Sequence, residues 1–115
     1  MSGILKARLE MAKLARQWQY WSRKIAEAAK MILVTCEVYV FGSVVEGHMT
    51  GGSDVDILII SDNVPSKARE RWKLKVMIEE QAGLPLYHPY EIHLVSKREA
   101  KWYMRHIRKK VPINV

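Results

Sequence analysis

The chain has 115 residues, of which 49% are hydrophobic and 27% charged, and it contains a single cysteine. This length suits one domain, spanning residues 1–115, with one hydrophobic core, and the composition is that of a soluble globular protein. We therefore expect a cytoplasmic protein without a membrane span, a signal peptide, an internal disulfide or a cysteine zinc site.

The formal net charge is +7, and the basic residues are unevenly distributed along the chain. They are concentrated in residues 1–30, 66–82 and 96–111, whereas the remaining segments hold six carboxylates and no lysine or arginine. An acidic centre between basic segments suits a site that holds metal cations with polyphosphate or nucleic acid nearby. The alternative is that the basic residues simply keep the helices solvated.

Residues 1–32 are predicted to form one long helix. Apolar residues recur every three or four positions from Ile4 to Ile32, which is the spacing of a heptad seam. A helix of about 30 residues would span roughly 40 Å, which is longer than a small sheet requires. Either the whole seam packs on the domain's own sheet, or its N-terminal half extends beyond the domain and binds another chain.

Three segments are predicted to be strands. Residues 38–41 alternate between two faces, residues 55–60 are almost entirely apolar, and residues 90–95 are rich in β-branched and aromatic side chains. With the helices that separate them, these strands predict an α/β (α+β) domain, in which a short mixed sheet carries helices packed on one face.

Two further helices are predicted from their boundary residues. Ser66 can cap a helix that runs to about residue 81, where Gly83 begins the stop signal. Ser96 and Glu99 have the spacing of a capping box, which opens a last helix that we expect to end at Pro112.

The segment from Gly42 to Asp56 carries the chemistry. A strand ends in Gly42-Ser43, a glycine-rich loop follows, and the next strand opens with Asp54-Val55-Asp56. Since side chains two residues apart share one face of a strand, the two carboxylates point the same way and favour a cation between them. Gly42 lets the backbone approach a phosphate, and the Ser43 hydroxyl can donate to it. The pattern predicts metal-assisted phosphoryl or nucleotidyl transfer.

Gly-Ser, ten residues and then Asp-x-Asp together resemble the signature of the DNA polymerase beta-like nucleotidyltransferase superfamily, and most closely its minimal nucleotidyltransferase group. The resemblance extends over residues 38–107, where Glu91 and the pair Trp102-Tyr103 look like that group's third strand and last helix. It implies a polymerase beta-like fold, with a catalytic core at 38–107 after the N-terminal helix.

The resemblance also implies roles for individual residues. Asp54, Asp56 and Glu91 would be the catalytic residues and the ligands of two Mg²⁺ ions, and Glu91 would draw the proton from the attacking hydroxyl. We assign nucleotide binding to three further residues, Gly42, Ser43 and Ser53.

This chain departs from the group's pattern at two points. Glu91 stands where aspartate is usual, and Val45-Glu46 occupies a loop in which many relatives have an arginine. Two histidines are left open: His48 is either a nucleotide contact or a solvated loop residue, and His93 shares the face of Glu91 and either supports the site or does not.

The expected reaction is transfer of AMP from ATP to a hydroxyl. Minimal members of the group often act beside a HEPN-domain toxin as its antitoxin and can adenylylate a tyrosine on it, so the resemblance implies such a partner. A homo-oligomer through the N-terminal helix and contact with RNA are further expectations. The alternatives are a catalytically weak antitoxin that acts by contact alone, and a nucleotidyltransferase for RNA or a small molecule.

Overall fold

A mixed four-stranded sheet organises the chain, of which the computed structural model describes residues 2–48 and 54–115. The strands are β1 (Glu37–Phe41), β2 (Val55–Ile60), β3 (Tyr90–Val95) and β4 (Lys110–Pro112), in the order β3-β2-β1-β4. β1 pairs antiparallel with both β2 and β4, whereas β2 and β3 run parallel. The mixed sheet and its helices confirm the predicted fold class.

The described residues form five helices, which are α1 (Gly3–Arg16), α2 (Trp18–Leu33), α3 (Ser43–Glu46), α4 (Ala68–Ala82) and α5 (Lys97–His106). Helices α2 and α4 share one face of the sheet, where Ile25, Ile57 and Ile78 are completely buried. The shorter α5 covers the other face through Ala100, beside Leu58, so the prediction that the helices pack on one face is wrong. Because β2 is buried on both faces, its sequence is an uninterrupted apolar run after Asp56. No helix in the described ranges combines the length and apolar character that a membrane span requires.

The predicted single N-terminal helix is wrong, because the chain breaks between α1 and α2 at Gln17. The Gln17 N–H donates to the carbonyls of both Lys13 and Leu14, at 3.2 Å each, which closes α1 with a tight last turn. Its side-chain oxygen accepts a bond from the Trp21 indole at 3.3 Å, at the start of α2. Residues 2–10 are all exposed, so the first part of the seam lies outside the core of the described chain.

The last helix also ends earlier than predicted, at His106 rather than at Pro112. Residues 110–112 instead form β4, which pairs Lys110 with Phe41 of β1. The Ile113 N–H then donates to the carbonyl of Val38 at 2.8 Å, and Ile113 packs against the main core. Burial of apolar side chains beside β1 therefore outweighs helical periodicity, and the core extends beyond residue 107.

The helix signals in the middle of the chain are confirmed in part. Ser96 and Glu99 form the complete capping box at the start of α5. Gly83 ends α4 in the left-handed conformation, with φ +79°. The capping role predicted for Ser66 is wrong, since Lys67 is the N-cap residue and no side chain bonds the first turn of α4.

Candidate active site

Strand register brings two of the three predicted catalytic carboxylates together. Asp56 on β2 is the direct pair partner of Glu91 on β3, and on its other side it faces Phe41 of β1. His93 lies two residues beyond Glu91, on the same face of the sheet. The potential ligand atoms of Asp56, Glu91 and His93 all lie within 4.8 Å of one another. The site thus lies on the face that carries α5.

Two neighbours fix the carboxylate of Asp56, whose side chain is 24% exposed. Its Oδ1 lies 3.2 Å from Nε2 of His93. Its Oδ2 lies against Gly42, where a Cβ would come within 2.5 Å of it. Gly42 also has φ +85°, a conformation that favours glycine. Gly42 therefore makes room for a site carboxylate, a role that the sequence pattern alone did not reveal.

His93 connects Asp56 to α5. Its Nδ1 lies 3.2 Å from the hydroxyl of Tyr103, and its ring contacts those of Tyr103 and Phe41 at centroid distances of 5.5 and 5.3 Å. Burial raises the pKa of Tyr103, and the negative charges of Glu99, Glu91 and Asp56 raise it further, so the phenol stays protonated.

These donors and acceptors fix the direction of the hydrogen bonds. An ionised carboxylate only accepts, so Nε2–H of His93 donates to Asp56, and in the neutral imidazole Nδ1 then accepts from the Tyr103 hydroxyl. The structure thus places His93 as the support of Asp56.

The donor set suits a hard divalent cation. Carboxylate oxygens are the protein ligands that Mg²⁺ prefers, and the carboxylates of Asp56 and Glu91 belong to neighbouring strands. Glu91 is 57% exposed and free to reach towards a ligand. His93 commits its Nε2 to Asp56, which is the usual way in which a neighbouring side chain orients a metal ligand. The cluster could therefore bind a metal through its two carboxylates.

The other predicted site residues flank this cluster. Asp54 is exposed just before β2 and does not belong to the group within 4.8 Å. Ser43 begins the short helix α3, so the segment after Gly42 is helical rather than an open loop, and the carbonyl of Ser43 accepts a bond from the N–H of exposed His48 at 3.0 Å. Ser53, assigned to nucleotide binding, lies outside the described residues.

A cleft of about 490 Å³ opens beside the cluster. Gly42 and His93 form part of its lining, Trp102 and Tyr103 of α5 form another part, and Arg108 comes from the turn between α5 and β4. The Trp102 ring stacks on His106 with centroids 4.3 Å apart. Sequence reasoning missed Arg108, because the position of residues 107–109 depends on β4, which was not predicted.

Paired carboxylates that could hold a metal, next to Gly42 and Ser43, suit metal-assisted phosphoryl or nucleotidyl transfer. The chain belongs to the nucleotidyltransferase domain family, whose sequence profile matches residues 22–110.

Solved structures support this assignment. The chain is 32% identical to a protein assigned as a nucleotidyltransferase, with a TM-score of 0.63, over 78% of this chain and 94% of that one. A second structure, of a protein from Sulfolobus solfataricus with the same assignment, is 20% identical, with a TM-score of 0.56, and covers 97% of this chain and 86% of that one. The second likeness shows the fold alone. Among curated proteins, no sequence matches this chain.

Proposed function

We propose that this chain is a Mg²⁺-dependent nucleotidyltransferase that transfers AMP from ATP to a hydroxyl group. The observation that carries the proposal is the direct pairing of Asp56 with Glu91 beside Gly42, in a chain of the nucleotidyltransferase domain family. Asp54, Asp56 and Glu91 would hold two Mg²⁺ ions. When bound, these ions supply the positive charge that the triphosphate and the leaving pyrophosphate require.

The chain's own residues then have distinct tasks. Asp56, held by His93, keeps a fixed ligand position. Glu91 has the more exposed carboxylate and can accept the proton of the attacking hydroxyl. The hydroxyl oxygen forms a bond to the α-phosphorus, the bond from that phosphorus to the bridging oxygen breaks, and pyrophosphate leaves.

Substitution of Asp56 tests this proposal. In an assay with ATP labelled at the α-phosphate, Asp56→Asn should reduce transfer about a thousandfold. The reason is that loss of a metal ligand weakens the stabilisation of transition-state charge by the metal, which is worth several kcal/mol. The matched control is Asp62→Asn, which removes an exposed carboxylate that pairs with Lys97 at 2.9 Å, beyond the opposite end of β2. Equal transfer by the Asp56 variant and the control would refute the assignment.

The acceptor in this proposal is a tyrosine hydroxyl of a HEPN-domain toxin, for which the chain serves as antitoxin. Resemblance to minimal nucleotidyltransferases supports this pairing. The exposed apolar residues of α1 also support it, since Leu5 is 48% and Leu9 50% exposed and the two lie one helical turn apart on the same face. Basic residues beside this face, such as Lys6 and Arg8, favour an acidic or RNA-bound partner rather than a second, equally basic copy.

The acceptor is tested separately from the chemistry. The product of the gene adjacent to this one should acquire the α-phosphate label on tyrosine when mixed with the wild-type chain, ATP and Mg²⁺. If the Asp56→Asn variant still neutralises that protein without labelling it, inhibition by contact replaces transfer as the function.

A further inference from the structure

We propose that Arg108 binds the phosphates of the nucleoside triphosphate in the cleft beside Asp56. The inference rests on the proposed function and names a residue for it that the motif does not contain. The observation behind it is the position of Arg108 in the lining of the same 490 Å³ cleft as Gly42 and His93.

The fold fixes the backbone on both sides of Arg108. Before it, Ile107 packs against the core cluster on the α5 face, and its N–H donates to the carbonyl of Tyr103 at 2.8 Å. After it, Lys110 enters β4 opposite Phe41. Binding therefore has to order only the side chain of Arg108, which limits the entropic cost.

The guanidinium of Arg108 is available to a ligand. Over residues 2–48 and 54–115, no carboxylate lies within salt-bridge distance of it. Its basic neighbours are placed differently: Lys110 lies over the ring of Tyr39, 6.0 Å from the centroid, and Lys109 does not line the cleft. Among the lining residues in the described chain, Arg108 is the one arginine or lysine.

The cleft matches a nucleotide in chemistry and in size. The planar guanidinium donates to phosphate oxygens in pairs, a geometry that lysine lacks. Trp102 and Tyr103 offer aromatic surface on which a base can stack. The volume falls within the range of about 300–1,000 Å³ that is usual for small-molecule sites. The helix α3 supplies no cation, and its Glu46 places a negative charge in the lining of the same cleft, which Arg108 has to offset when phosphate binds.

Calorimetric binding of Mg·ATP, inorganic triphosphate and adenosine to four full-length chains tests the inference. Arg108→Gln should weaken binding of ATP and of triphosphate about tenfold or more, the usual loss for a hydrogen bond to a charged group, and leave adenosine binding unchanged. Arg108→Lys should give an intermediate affinity, since it keeps the charge but loses the paired geometry. Lys109→Gln removes the same charge from the adjacent position and should bind as the wild type does.

Three outcomes would overturn the inference. Equal losses in Arg108→Gln and Lys109→Gln would show a general effect of net charge. Unchanged ATP affinity in Arg108→Gln and Arg108→Lys, with both variants folded by circular dichroism, would remove Arg108 from the phosphate site while the proposed function stands. A wild-type chain that binds no ATP would overturn the proposed function together with the inference.

Discussion

Gly42→Ala should disable the site by displacing Asp56. The new Cβ would lie 2.5 Å from Oδ2 of Asp56, so the carboxylate must retreat by about 0.9 Å to reach an ordinary contact of 3.4 Å. Displacement of a reacting or ligating group on this scale costs about a hundredfold in rate. The φ of +85° with ψ −159° lies in a region that is essentially restricted to glycine, which adds strain of about 1–3 kcal/mol for any residue with a Cβ. We therefore expect lower stability, weaker Mn²⁺ or Mg²⁺ binding and transfer reduced about a hundredfold.

Gly83→Ala separates strain from displacement. Gly83 also has a positive φ, +79°, but with ψ +20° it is in the milder left-handed helical conformation; an added Cβ there meets no atom within 4 Å, and the residue ends α4 away from the site. Both variants should lose thermal stability in differential scanning calorimetry, and Gly42→Ala should lose more. Only Gly42→Ala should lose metal affinity in isothermal titration and nucleotide transfer. Wild-type metal affinity and rate in a folded Gly42→Ala chain would refute the reasoning.

Three further predictions concern other parts of the molecule. Glu91→Gln should retain Mg·ATP binding while turnover falls, because Asp54 and Asp56 remain as ligands; a variant that loses binding but keeps its rate would contradict this. Leu9→Asp should abolish association with the partner in analytical ultracentrifugation without unfolding the chain, because Leu9 is half exposed; unchanged association would exclude α1 as the interface. The hydrogen bond from Arg71 and that from the Ser96 backbone lower the pKa of Glu99 from 4.5 to about 2. The stabilisation contributed by ionised Glu99 is therefore full above pH 4.5 and lost as the pH falls towards 2. The melting temperatures of Glu99→Gln and the wild type should converge near pH 2. A difference in melting temperature that stays constant with pH would contradict this role of Glu99.

Local sequence signals predicted most helices and strands, whereas the pairing between strands depends on contacts that no local signal contains. The strands at 55–60 and 90–95 were predicted with the observed bounds, because apolar runs between turn residues are a local signal. The pairing of Asp56 with Glu91 joins residues from separate strands, so no local pattern contains it. The spacing of the Gly-Ser and Asp-x-Asp residues indicated the type of reaction, but it did not give the strand register that places Asp56 beside Glu91.

The errors have physical causes of the same kind. The heptad seam continues through Gln17 with no glycine or proline to mark the break, and only packing of α2 on the sheet reveals it. The basic run at 108–110 and Pro112 are typical of the end of a helix, yet pairing with β1 makes residues 110–112 a strand. The placement of Arg108 follows from that pairing and was unpredictable for the same reason. A signal for His93 was present, since it lies on the same strand face as Glu91.

Strand β4 also limits whether a strand of another chain can pair with this edge of the sheet. Its inner side is occupied by β1, while its outer side offers only three residues, among them Lys110 and Pro112. The Ile113 N–H points towards β1, and successive backbone nitrogens of a strand point to opposite sides. The nitrogen of Pro112 therefore faces outward, and it has no hydrogen to donate. A charged side chain and a missing donor on a short edge discourage another chain from extending the sheet. Without β4, the strand β1 would be an open edge, so the same three residues that fix the turn at Arg108 also protect this edge of the sheet from pairing with another chain.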